Sequence, residues 1–340
     1  MLKLGLIGAG AIMQWGHSPG LVNKKDVEVA AIADPSEANR TQIGERLGCA
    51  NLFADYRAVL DDPAIQAVDI CLPHHLHEAA TLAAFDAGKD VLIEKPIALT
   101  LDEADRMIAA AKEKNRKFFV SLNQRFEPCH RKFKEILDSG QYGKPFLGLM
   151  PVIGDEFARM NVKDSWKGRW DQAGGGALGD TGTHMFYLIL WWFGRPKTVS
   201  CQWGRFMVEH DCKADDNAIV TLGYDGMLIN IAITYTALSD PWTERKQFYF
   251  PGHSVHITMD PAQPIFHGAG KQSLEPIPMP PMPAGWAGNV AASVSHFLDC
   301  IQGKAEPEFG PEAARETLEM ILLAYKAAEE GRTLAVPQKA

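Results

Sequence analysis

Leu2-Lys3-Leu4-Gly5-Leu6-Ile7-Gly8-Ala9-Gly10-Ala11-Ile12-Met13 decides how the first third of the chain folds. A short apolar strand runs into two glycines spaced one residue apart, and a helical pattern follows. Gly8 suits a tight turn, and Gly10 lets backbone N–H groups approach a phosphate at the start of a helix. Ala11, Ile12 and Met13 are then the first residues beside a pyrophosphate. Met13 stands where a dinucleotide-binding turn usually has its third glycine, which implies a different packing of helix on strand. A second strand, Val27 to Ala33, ends in Asp34. A carboxylate there is placed for both hydroxyls of an adenosine ribose and against a 2′-phosphate, so NAD is expected over NADP. Asp34 also reads as an ordinary turn residue before Pro35-Ser36, and Arg40 leaves NADP open.

The alternation continues. Helical patterns over 35–47, 53–60, 77–87 and 101–114 separate apolar strands at 67–72, 90–95 and 117–120. Strands alternating with helices of this length predict a doubly wound parallel sheet, a Rossmann domain over residues 1–124. Ligands gather at the carboxyl ends of such strands. Those ends add Leu72, Pro73, His74, His77, Glu94, Lys95, Pro96 and Asn123 to the cofactor-binding candidates. Lys95 closes an apolar strand and Pro96 sets the direction of exit, with a cis bond admissible. Either Lys95 points into a cleft beside a nicotinamide or its stem snorkels to solvent. The cluster His74, His75, His77 lacks ligand spacing, so no metal is expected and Pro73 and His74 are read as nicotinamide contacts.

Beyond residue 124 the pattern changes. A helix over 125–139 precedes longer strand-like runs at 146–153, 198–208, 218–222, 227–236, 246–250 and 255–258. They predict an open, mainly antiparallel sheet with covering helices, an α+β domain over 125–340. Inside it lies Gly174-Gly175-Gly176-Ala177-Leu178-Gly179-Asp180-Thr181-Gly182-Thr183-His184, a glycine turn feeding an apolar helix from Asp180 to Phe193. Asp180 and His184 are four apart, hence on one face and one turn from each other. A carboxylate and an imidazole entering so apolar a helix need partners. Trp166, Trp170, Arg169 and Lys163 precede the turn. The tryptophans either line a pocket or pack a core, and Arg169 or Lys163 is suited to hydroxyls, a carboxylate or a phosphate. A proline-rich stretch, 275–283, reads as an extended connector, and two helices near 289–301 and 312–330 close the chain.

Of the 340 residues 46% are hydrophobic and 22% charged, as in ordinary globular enzymes. A formal charge of −8 argues against a nucleic-acid partner. The six cysteines, at 49, 71, 129, 201, 212 and 300, form no Cys-x-x-Cys pair, which gives neither a zinc signature nor a disulfide framework. The start lacks signal-peptide features, and the apolar run 185–193 is too short for a bilayer. A cytoplasmic protein without membrane partners is expected.

The Gly8-x-Gly10 turn, Glu94-Lys95-Pro96, Asn123-Gln124-Arg125-Phe126, the stretch Gly175 to His184 and Asp215-Asp216-Asn217-Ala218 together resemble the glucose-fructose oxidoreductase / inositol dehydrogenase / MocA family across almost the whole chain. The resemblance implies NAD(P)-dependent hydride transfer at a ring carbinol of a sugar or cyclitol. Lys95, Asp180 and His184 match the family's catalytic positions, and Arg125, Trp166 and Arg169 join them as substrate-binding candidates. It also implies a homodimer or homotetramer through the C-terminal sheet. In chemical terms His184 is suited to general base, Lys95 to stabilising the reacting oxygen, and Asp180 to holding an adjacent hydroxyl. A glycosidase using transient ring oxidation would need the same groups. A non-catalytic sugar or dinucleotide sensor would not need them.

Overall fold

The computed structural model describes residues 1–22, 24–162, 165–208, 213–238, 241–279 and 285–338, without the side chains of 285 and 286. Lys163 and Cys212 lie outside the described residues. The five described cysteines are buried free thiols. The chain divides into two compact units, Met1–Asn123 with Pro283–Arg315, and Gln124–Met282 with Glu316–Ala340.

The first unit holds six parallel strands, β1 (Leu2–Ile7), β2 (Val27–Ala33), β3 (Leu52–Phe53), β4 (Ala67–Ile70), β5 (Asp90–Ile93) and β6 (Phe118–Val120), in the order β3-β2-β1-β4-β5-β6. β4 and β6 are buried at every residue, as strands covered on both faces must be. Helices α1 (Ser18–Leu21), α2 (Glu37–Leu47), α3 (Arg57–Leu60), α4 (His77–Asp86) and α5 (Leu101–Glu113) alternate with them. The side chain of Ser36 caps α2, and Thr100 with Glu103 forms a capping box on α5. The helix expected over 53–60 is shorter, because Leu52 and Phe53 pair with Ile32 and Ala33 as an edge strand.

The second unit opens with a 3₁₀ turn, Asn123–Phe126, begun by the last residue of the first, and then α6 (Pro128–Ser139). Pro128 explains the late start: without an N–H, proline fits the first helical turn and no later one. Then follow β7 (Leu147–Ile153), α7 (Phe157–Met160), α8 (Trp170–Ala173), α9 (Ala177–Phe193), β8 (Thr198–Gly204), β9 (Asn217–Tyr224) and β10 (Met227–Thr234). The remaining strands are β11 (Thr243–Glu244), β12 (Lys246–Phe250), β13 (His253–Ile257), β14 (Ile265–Ala269), β15 (Glu275–Pro276) and β16 (Leu334–Ala335). Their order is β15-β14-β13-β12-β7-β10-β9-β8-β16, with β11 on β7. Only the β7–β10 pairing is parallel among the described strands of this sheet. α9 packs on β9 and β10, and the alternate residues Ile219 and Leu228 stay exposed on these strands.

α10 (Gly285–Ile301) groups with the first unit, and α11 (Pro311–Glu329) enters the second at Glu316. A linear reading runs the second domain from 125 to 340; the return of 283–315 follows from where α10 finds its apolar partners. Val294, Phe297 and Leu298 join one core cluster with Leu4, Leu6 and Ile32. Met13 lies in that cluster too, fully buried, at the head of a π-helical turn, Met13–His17, that leads into α1. The close approach usually granted by a third glycine is shifted along the helix. A Cβ on Gly20 would stand 2.9 Å from the Ala291 Cα, and one on Gly16 3.1 Å from Val290. Among the described residues no helix is long and apolar enough to cross a membrane.

Gly20→Leu therefore overpacks the α1–α10 contact. It should lower stability by about 1–3 kcal/mol, read as a lower urea midpoint at unchanged slope. An unchanged midpoint would show that α10 does not seat on this face.

Candidate active site

In the first unit the turn after β1 is tight at one glycine and open at the next. Gly8 has φ +91°, and a Cβ there would lie 2.2 Å from the Cys71 carbonyl oxygen, so glycine alone fits. Gly10 is the reverse: nothing lies within 4 Å of where its Cβ would be. That open side, at the start of a helix, is the cradle a pyrophosphate requires. Asp34 Oδ2 accepts the Ala9 N–H at 2.7 Å and Oδ1 accepts the Ser36 N–H at 2.8 Å. The carboxylate is thereby fixed between the glycine turn and the end of β2, where a ribose diol would sit. Arg40 donates to the carbonyls of Asp34 and Pro35. Ala11 is exposed, Ile12 and the Leu72-Pro73 loop are half-buried, and Asn123 is buried. The residues present thus fit NAD.

At the ends of β4 and β5 the loops are tied together. His77 is fully buried, its ring between the carbonyls of Leu72 (2.9 Å) and Pro96 (2.8 Å), and burial pulls its pKa below the ordinary value. His74 meets the ring of His77 edge-on at 5.5 Å. The Lys95–Pro96 bond is cis, and Lys95 is buried. Glu94 accepts the Lys95 backbone N–H at 3.1 Å and meets His17 Nε2 at 2.9 Å. His17 Nδ1 lies 2.8 Å from Asp69. Burial works against ionised Glu94, yet the hydrogen bond and charge of His17, with the charge of Lys95, hold its carboxyl below the usual range. His17 escaped the sequence reading. The signal was Asp69, an acid inside an apolar strand that needs a buried partner.

In the second unit the glycine turn before α9 is held from a distance. Gly174 has φ +76°, and a Cβ on Gly176 would lie 1.8 Å from the Asp215 carbonyl oxygen. The Asp215 carboxylate accepts N–H groups of Gly176 (2.7 Å) and Leu178 (2.8 Å) and the Tyr325 hydroxyl (2.6 Å). Burial nevertheless pushes its carboxyl up. α9 consequently begins at Ala177, three residues before the expected Asp180. Asp180 Oδ2 accepts from Lys167 Nζ at 2.8 Å and from the Tyr235 hydroxyl at 3.1 Å. One turn on, buried His184 has Nδ1 2.8 Å from the Tyr187 hydroxyl, which accepts the Gln124 N–H at 3.0 Å.

The other substrate-binding candidates have varied surroundings. Trp166 lies 5.9 Å from Lys167 Nζ, and Arg125 stacks over the Trp191 ring at 4.8 Å. Arg169 is exposed and 3.1 Å from Asp171, a surface pair worth little energy. Trp170 packs against Trp203 and Tyr325, so it belongs to an aromatic core. Lys167, Tyr235 and Tyr187 carry no sequence signal as partners, because their positions depend on the tertiary fold.

Residues 2–122 match the model of an oxidoreductase family with an NAD-binding Rossmann fold, and residues 134–336 match that family's C-terminal alpha/beta domain. A levoglucosan dehydrogenase of Pseudarthrobacter phenanthrenivorans is 34% identical over 212 residues, 58% of this chain and 53% of that protein. A myo-inositol 2-dehydrogenase of Thermotoga maritima is 33% identical over 176 residues, 48% of this chain and 52% of that protein. The chain thus spans about half the length of the curated relatives it matches. A solved structure of levoglucosan dehydrogenase in complex with NADH shares the fold. Its TM-score is 0.88 at 23% identity, over 99% of this chain and 100% of that one.

Lys167 yields a pH test. Burial lowers its pKa, but the charges of Asp180 and Glu156 and the bond to Asp180 outweigh this and raise it. A raised lysine contributes stability in full below its unfolded value and loses it as pH climbs through the folded one. The urea-midpoint difference between wild type and Lys167→Met should stay constant from about pH 6 to 9 and shrink above about pH 10.5. A difference that grows with pH would contradict the pairing.

Proposed function

Because the chain belongs to the glucose-fructose oxidoreductase / inositol dehydrogenase / MocA family of oxidoreductases, we propose that it is an NAD-dependent dehydrogenase acting on a ring carbinol of a sugar or cyclitol. The observation that carries this is the helix that brings Asp180 and His184 one turn apart, each on a defined partner, in a chain whose other unit fits a dinucleotide. NAD, when bound, supplies the hydride acceptor. His184, its ring oriented by Tyr187, takes the hydroxyl proton, which positioned bases do for roughly 10²- to 10⁴-fold in rate. Lys95 donates to the reacting oxygen and stabilises its developing charge. Asp180 receives a neighbouring hydroxyl while Lys167 and Tyr235 hold its carboxylate still. Arg125, Trp166 and Arg169 complete the set proposed for substrate, and Gly8, Gly10, Asp34, Pro73 and His74 the set for cofactor.

The names of the two relatives, which act on an anhydro-sugar and an inositol, support the substrate class. Oxidation of sugars, anhydro-sugars and inositols with NAD or NADP, followed by absorbance of the reduced cofactor, tests it. Net NADH without bond cleavage is the expected result; release of an aglycone with no net NADH would replace it with a glycosidase. Lys95→Ala and His184→Ala should each lose at least about 10²-fold in turnover while still binding cofactor. Near-normal turnover removes that residue's role. Asp34→Ala should weaken NAD more than NADP.

The exposed side of the second sheet, with Ile219 and Leu228 each 54% exposed on neighbouring strands, supports a homo-oligomer through that face. Leu228→Glu should halve the mass seen by light scattering; an unchanged mass would place the contact elsewhere.

A further inference from the structure

His17 is wholly buried at the end of the π-helical turn, and both of its ring nitrogens meet carboxylates. Asp69 of β4 takes Nδ1 at 3.0 and 2.8 Å through its two oxygens, and Glu94 after β5 takes Nε2 at 2.9 Å. Neither carboxylate is a donor when ionised. A neutral imidazole has one N–H, so only the imidazolium satisfies both contacts. Asp69 of β4 and Cys71 just after it face this ring, as does Glu94 from the end of β5, and Glu94 in turn faces Lys95, His77 and the Ser121 hydroxyl. Cys71 stays a thiol, with burial pushing its pKa up to about 12. The charges of Asp69, His17, Glu94 and Lys95 then cancel within one buried group. Glu94 passes the constraint on: its second oxygen accepts the N–H of Lys95 itself. A single-turn π segment is an uncommon device that recurs at functional sites, and here it ends on this ring.

We propose that His17 is a positioning residue for the dehydrogenase reaction, a clamp that joins Asp69 to Glu94 and thereby fixes the backbone from which Lys95 projects. This rests on the function proposed above. Burial lowers the His17 pKa, while Asp69 and Cys71 raise it to a value well above the ordinary one. Its contribution to stability is therefore complete below about pH 6.5 and lost as pH rises through that higher value.

Ring-¹⁵N histidine NMR of the full chain reads the clamp without any activity. Two protonated nitrogens at about pH 8 are expected for His17; an unprotonated nitrogen there overturns the proposal. In kinetics, His17→Gln should lower kcat about tenfold or more while the KM for NAD changes little. Without the imidazolium Glu94 takes up its proton earlier, so a second ionisation should join that of the general base, steepening the acid limb of kcat and moving it up. The double variant His17→Gln/Glu94→Gln should keep only the limb that the general base sets, at its wild-type position. A merely structural residue would lower the melting temperature and leave kcat per folded enzyme and its pH limb unmoved, which also overturns the proposal. Should His17→Gln fail to fold, Asp69→Asn is expected to leave one His17 nitrogen unprotonated at about pH 8, because the ring then keeps only one of its two carboxylates. If the wild type oxidises no sugar or polyol, the dehydrogenase reading fails by itself, and the two nitrogen resonances still decide the clamp.

Discussion

A buried carboxylate holds the amino end of α9. Asp215 accepts two backbone N–H groups and a tyrosine hydroxyl there, and its carbonyl oxygen accepts the Ala177 N–H. Four groups at the start of the helix are thus satisfied by one residue. The contact is so close that only glycine fits at Gly176. Everything proposed for Asp180 and His184 depends on it, because both ride on the first two turns of that helix. An apolar helix has no polar stripe to orient it, so its azimuth must be set by its end and by packing.

The same solution recurs where charge is buried. Glu244 and Lys246 pair at 3.0 Å with almost no exposure, and Gln124 donates to the same carboxylate. His17 lies between two acids, and Lys167 lies beside Asp180 with both half-buried. Buried ions cost more in desolvation than Coulomb attraction alone returns unless the remaining hydrogen bonds are made. In each of these places a third group supplies one. Such arrangements add little net stability but break sharply when one member is removed, which suits groups that must be held in one orientation.

How much was legible in the sequence follows from where each signal lies. The parallel sheet was, since its strands are apolar runs and its helices carry local caps such as Ser36 and Thr100. The open sheet was legible in class but not in count: β11, β15 and β16 are two residues each, too short for alternation to register. The sequence pattern puts the start of α9 three residues late, because its cap comes from residue 215 rather than from a neighbour. Lys95, Asp180 and His184 announced themselves as polar residues in apolar settings. Their partners Lys167, Tyr235 and Tyr187 are ordinary in their own surroundings, and only the fold brings them in. Met13 looked like a departure from the turn's pattern; the π turn and Gly16 and Gly20 show how the helix absorbs it.

The return of α10 to the first unit sets an order of events during synthesis. The six strands of the parallel sheet are all made within the first 120 residues, but the apolar flank of α1 has no cover until residues near 290 leave the ribosome. At translation rates of about 5–20 residues per second, that interval is roughly ten seconds or more. A nascent chain in that interval carries an open hydrophobic flank, so the portion translated first is among the last to be completed.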